Sequence, residues 1–173
     1  SDEERIDELS KKSLEDLKRV SDDSKRKLDD ILKKIEDASR ESEDKLRRIL
    51  EKARRDGIEE RLLTELERKV RELKKDDRRL LEELRKKVER LKERDDELLD
   101  RSRRKHEEVK RRLKDLDGRE LERILEELRT DNDRLAKESD KLVKELEEEV
   151  RELIKRSETL LEELRKDVEE LAK

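Results

Sequence analysis

An apolar pair recurs every 18 residues along this chain. Leu62-Leu63 returns as Leu80-Leu81 and Leu98-Leu99, Ile124-Leu125 as Leu142-Val143 and Leu160-Leu161, and Ile31-Leu32 as Ile49-Leu50. Eighteen residues make five turns of an unstrained 3.6-residue helix. A seven-residue repeat drifts around the helix and imposes a left-handed supercoil, whereas an 18-residue repeat does not drift. The pattern therefore predicts long, straight helices with one apolar stripe each.

Composition would mislead if read alone. Charged residues make up 62% of the chain and the apolar class 28%, values that suit a disordered polyampholyte. Order overrules composition, because the apolar residues fall on one face of each helix. On the middle segment the stripe includes Leu62, Leu63, Leu66, Val70, Leu73, Leu80, Leu81, Leu84, Val88, Leu91, Leu98, Leu99, Val109 and Leu113. These cover an arc of about 100°. On the last segment it includes Leu128, Leu135, Leu146, Val150, Leu153, Leu164, Val168 and Leu171.

The only glycines, Gly57 and Gly118, stand in matching contexts, Asp56-Gly57-Ile58-Glu59 and Asp117-Gly118-Arg119-Glu120. Glycine is the usual residue that ends a helix in the left-handed conformation, and Asp with Glu three positions later can cap the next helix start. Both readings of each Asp place a short turn there. Ser1 and Glu4 form a capping-box pattern at the start. The helices are expected at about 2–55, 59–116 and 120–172, each about 80 Å long. Turns this short make consecutive helices antiparallel neighbours. The expected fold is all-α: one domain over residues 1–173, an antiparallel up-down-up three-helix bundle of long straight helices.

Polar residues interrupt the stripes in register. Asp77 and Asp95 lie 18 apart, as do Ser39/Ser42 and Ser21/Ser24, and Ser157 and Ser139. Folding at the two glycines brings Asp77 level with Ser39, Ser42 and Ser157, and Asp95 level with Ser21, Ser24 and Ser139. An ionised carboxylate only accepts hydrogen bonds and a serine hydroxyl can donate one, so three serines are expected around each Asp. A helix that slips by a turn would set the Asp against leucine, so such layers specify register. A third layer of different composition contains Ser10, Ser13, Ser102, His106 and Asn132. Thr64, Thr130 and Thr159 fall outside the stripes and are expected to be solvated.

The remaining charge is surface. There are 52 basic and 56 acidic residues, a formal net charge of −4. Both signs are mixed along every helix, which leaves no basic stripe for nucleic acid and no anchor for lipid. Asp44 with Arg48, Glu82 with Lys86 and Glu162 with Lys166 sit at the favoured i,i+4 spacing. No apolar run approaches the ~18 residues of a membrane span. No signal peptide is visible, and no localisation is assigned. Cysteine is absent, which removes disulfides and thiolate metal sites.

Catalysis and metal binding fit these layers less well than a structural role. His106 with Ser10, Ser13 or Ser102 has the residue types of a nucleophile–base pair. A hydrolytic site also needs an oxyanion hole and a substrate cavity, and helical N–H groups are already engaged. A satisfied core histidine is the better reading, and no catalytic residue or enzymatic activity is expected. Calcium wants 6–8 oxygens, and one carboxylate per layer falls short, so no metal or cofactor is expected. A single histidine gives a pH switch little leverage.

The 18-residue repeat, the reused Asp/Ser layers, the paired Asp-Gly-x-Glu turns and the absence of aromatics together resemble de novo designed, parametrically generated, untwisted helical bundles with buried hydrogen-bond networks. The resemblance covers the whole chain. It implies a hyperstable, monomeric structural scaffold without a natural substrate or partner. Some members of that class are heterodimers or switches. The alternative expectation is therefore a binding module, three helices that accept a partner helix.

Overall fold

The structure is a computed structural model that describes residues 2–173, with the backbone alone for Asp2. The capping box expected at Ser1 lies outside the described residues. The fold is an all-α three-helix bundle: α1 (Asp2–Arg55), α2 (Glu60–Arg112) and α3 (Gly118–Leu171). Two compact units each take a length of all three helices. One joins α1 as far as Asp29 to Val88–Glu145, and the other joins Asp30–Lys87 to Leu146–Lys173.

In the first unit, residue numbers fall on α1 as they rise on α2, from Asp29–Lys92 through Ser24–Asp95 to Ser10–His106, so these helices run antiparallel. Arg94–Glu138 and Ser102–Asn132 set α2 antiparallel to α3. Ser13–Asn132 and Ser24–Ser139 set α1 parallel to α3. Leu17, Leu28, Val88, Leu128 and Val143 are among its buried aliphatics. In the second unit, Glu36–Arg85, Ser42–Asp77 and Arg54–Glu67 again run antiparallel. Its core gathers Leu46, Ile49, Ala53, Ile58, Leu66, Val70, Leu161, Leu164 and Val168.

The doublets that announce the repeat do not bury equally. Adjacent helical residues point about 100° apart, so they cannot both face the axis. Val143 is 2% exposed while Leu142 is half-buried, and Leu161 is 8% exposed while Leu160 is 44% exposed. In these α3 doublets the first member is the edge of the stripe, whereas on α1 Ile31 and Ile49 are buried and the second members, Leu32 and Leu50, are half-buried.

The two Asp-Gly turns, alike in sequence, do different work. Gly57 has φ +69°. Ile58 N–H donates to the Ala53 carbonyl and Gly57 N–H to the Arg54 carbonyl, the paired bonds of a Schellman motif. The apolar contact that completes the motif is available, since Ala53 and Ile58 are both buried in one cluster. At the second turn Arg119 follows the glycine, and no apolar residue is present to dock. There Asp117 accepts from Glu120 N–H at 2.9 Å and Leu121 N–H bonds the Asp117 carbonyl. Asp117 is thus the N-cap of α3, and Gly118 its first helical residue. The second helix consequently stops at Arg112 rather than about 116, which leaves Leu113 in the turn.

Surface pairing also departs from the simple i,i+4 expectation. Asp44, Glu82 and Glu162 pair with Arg47, Arg85 and Arg165 at i,i+3. Arg165 spans two carboxylates, Glu162 and Glu169, each at 2.6 Å. Such exposed pairs contribute about 0–1 kcal/mol each. Thr64 and Thr159 are exposed, and each hydroxyl donates to the carbonyl four residues back.

Candidate functional site: the polar layers

Three groups of polar side chains lie among the aliphatic layers. Around Asp95 the group is closed. Ser24 of α1 donates to Oδ2 at 2.6 Å and Ser139 of α3 donates to Oδ1 at 2.8 Å. The two serine oxygens are themselves 3.2 Å apart. Asp95 is 6% exposed. Ser21, expected as a third donor, is buried, but its hydroxyl has no hydrogen-bond partner. Two serines already engage both carboxylate oxygens, each coming from a different helix.

The Asp77 group has the same residue types and a different geometry. Among the described residues, Ser42 is the one serine that donates to Asp77, at 3.0 Å to Oδ2. Ser39 and Ser157 are half-buried and make no bond to it. Asp77 itself is half-buried. The three-serine shell expected from the sequence is not formed. In its place is a cavity of about 90 Å³ lined by Ser39, Ser42, Asp77 and Ser157, with Ile35, Ala38, Leu80, Leu81, Leu84 and Ile154 among its apolar walls. Burial pushes the Asp77 carboxyl above the ordinary carboxylate range. The Ser42 hydrogen bond opposes that shift, and the negative charges of Asp76 and Glu43 add to it.

The third group divides into two. A chain of hydrogen bonds crosses all three helices: Ser102 donates to Asn132 Oδ1 at 3.1 Å, and Asn132 Nδ2 donates to Ser13 Oγ at 2.8 Å. Separately, Ser10 Oγ and His106 Nδ1 share a hydrogen bond between α1 and α2. Ser10, Ser102, His106 and Asn132 are all buried. Sequence reasoning missed Asp7, one turn before Ser10 on the same face. Its Oδ2 pairs with Lys11 at 3.1 Å, while its Oδ1 is buried without a partner. The Lys11 hydrogen bond holds the Asp7 carboxyl below its usual range despite the opposing effect of burial, with smaller contributions from Lys110 and His106. The signal available in the sequence was the i,i+3 spacing of Asp7 and Ser10.

These groups are suited to holding helices in register. Apart from Asp7, which pairs within α1, the polar atoms that are satisfied bond to another helix, and a one-turn slip would set them against an aliphatic side chain. Among the described residues, no cluster of three or more His, Cys, Asp or Glu side chains could hold a metal ion. No helix among them is long and apolar enough to cross a membrane. Comparison with protein-family models, with curated proteins and with solved structures finds no match to this chain.

Proposed function

We propose that this chain is a structural scaffold of the designed-bundle class, without a natural biochemical activity, in which aliphatic layers supply stability and polar layers specify helix register and pairing. One observation carries the reading: both oxygens of the buried Asp95 accept from serines of the two other helices. A carboxylate placed there adds little net stability over a well-packed aliphatic layer, and its use lies in excluding alternatives. The test replaces the layer entire, with Ser21→Ala, Ser24→Val, Asp95→Leu and Ser139→Val. Chemical denaturation should find the variant as stable as the parent or more so. Sedimentation and amide NMR should find it heterogeneous in register or association. A variant that loses more than about 3 kcal/mol yet stays a single species contradicts the proposal.

A second reading, acceptance of a partner helix, has its own observation. In the first unit a groove between α1 and α3, about 560 Å³, is lined by Leu9, Val20, Leu125 and Ala136, and Leu9 is 50% exposed. Mass in solution and dye binding separate the two readings, because an open apolar groove self-associates or takes up ANS.

A further inference from the structure

The Asp77 and Asp95 groups carry the same polar residues at an 18-residue offset, yet the charges beside them are exchanged. Beside Asp95, α1 places Lys25, which pairs with Asp96 of α2 and also interacts with the Asp95 carboxylate. Eighteen residues away, Glu43 takes the place of Lys25 and Arg78 that of Asp96. The pair persists at 3.7 Å with its signs reversed. Asp95 therefore has a cation for a neighbour. Asp77 has two anions, Glu43 and Asp76, acting on its carboxyl. Asp95 is enclosed by two serine donors, whereas Asp77 has one and faces a cavity of about 90 Å³.

We propose that this cavity is a binding site for a small primary alkylammonium ion, with its ammonium group on the Asp77 carboxylate and its alkyl chain against Leu80, Leu84 and Ile154. The ammonium group has three donors and no acceptor. Asp77 can take one, and the Ser39 and Ser157 hydroxyl oxygens, which line the same cavity, can take the others. Charge points the same way. The lining holds Glu41, Asp77 and Glu158 against Lys45 alone, and Lys45 is already paired with Glu41 at 3.5 Å. A cavity of about 150 Å³ holds benzene, so one of this size takes on the order of four non-hydrogen atoms, the size of propylammonium. Calcium and magnesium demand six or more oxygens, which one carboxylate with serines does not supply, and no group of three His, Cys, Asp or Glu side chains stands among the described residues to hold another metal. A neutral alcohol would leave the negative field around Asp77 uncompensated. The site stands independently of the scaffold reading.

The test titrates the intact protein with propylammonium chloride at fixed ionic strength, read by NMR of leucine and isoleucine methyl groups and aspartate carboxyl carbons. Shifts should centre on Asp77, Leu80, Leu84 and Ile154. Binding should be at least about tenfold tighter than that of 1-propanol or ammonium chloride. Asp77→Asn should abolish it and Asp100→Asn, at an exposed carboxylate, should leave it unchanged. Glu43→Lys, which supplies at Asp77 the cation that Asp95 already has, should weaken it by about tenfold through a half-buried position at the edge of the bundle, outside the aliphatic core. The proposal is overturned by any of three results: no binding, equal binding of the alcohol or of ammonium, or shifts scattered over surface carboxylates and unaltered by both Asp77→Asn and Glu43→Lys.

Discussion

The Ser24 hydroxyl donates to Asp95 Oδ2 at 2.6 Å, joining α1 to α2 where both side chains are buried. Ser21, one turn earlier on α1, is buried without a partner. The two serines should therefore respond in opposite directions to the same substitution. Ser24→Ala leaves a buried carboxylate oxygen short of a donor and should cost about 1–3 kcal/mol. Ser21→Ala removes an unsatisfied hydroxyl and installs the better helix former, so it should be neutral or stabilising. Denaturant titration of the two variants decides this, and equal losses would mean that Ser21 has a partner in solution.

Around Asp77 the serines should also separate. Ser42 alone donates to the carboxyl and opposes the upward shift from burial. Ser42→Ala should raise the Asp77 pKa further, whereas Ser39→Ala and Ser157→Ala should leave it where it is. Carboxyl-carbon NMR titration measures all three.

Asp77 also sets a pH dependence whose sign is fixed. Its folded-state pKa lies above its ordinary value of 3.8, so the folded state binds the proton more tightly than the unfolded chain does. The stability this provides is complete below the unfolded pKa and is lost as pH rises through the folded pKa. Asp77→Asn, a neutral near-isostere, should therefore be more stable than the parent at neutral pH. Its advantage should shrink as pH falls toward the unfolded-state value. Denaturation of both proteins across that range checks this, and a constant difference would place Asp77 in free solvent.

The turns predict a contrast between two glycines. Gly57→Ala forces an L residue into φ +69° and should cost about 1–2 kcal/mol, although the added Cβ meets open space. Gly118→Ala meets open space too, in a helical position, and should stabilise by about 0.4–1 kcal/mol. Asp117→Ala, which deletes the N-cap of α3, should cost about 0.5–2 kcal/mol. Thermal or chemical unfolding of the three variants is sufficient.

The aliphatic layers should dominate stability. Leu46 is fully buried in the second unit's core, and Leu46→Ala should cost about 2–5 kcal/mol. Leu160→Ala, at a position 44% exposed, should cost well under half as much. Similar losses at both positions would mean that Leu160 is covered in solution.

Spacing alone determined that the chain makes three helices, which face of each is apolar, and where its polar groups sit. The 18-residue offset of Asp77 from Asp95, and of Ser42 from Ser24, is legible in the linear order because helical periodicity is a local property of the backbone. The surroundings of those residues were not legible. The repeat assigns Asp77 and Asp95 the same serines, and the tertiary structure gives Asp95 two serine donors and Asp77 one serine donor and a cavity. A hydrogen bond depends on fractions of an ångström between side chains on separate helices, which no spacing rule resolves. The same limit hid the difference between Asp56-Gly57 and Asp117-Gly118. The glycine that closes α1 takes its left-handed conformation where the next residue, Ile58, can dock on Ala53. Arg119 has nothing to dock, and Asp117 instead opens α3.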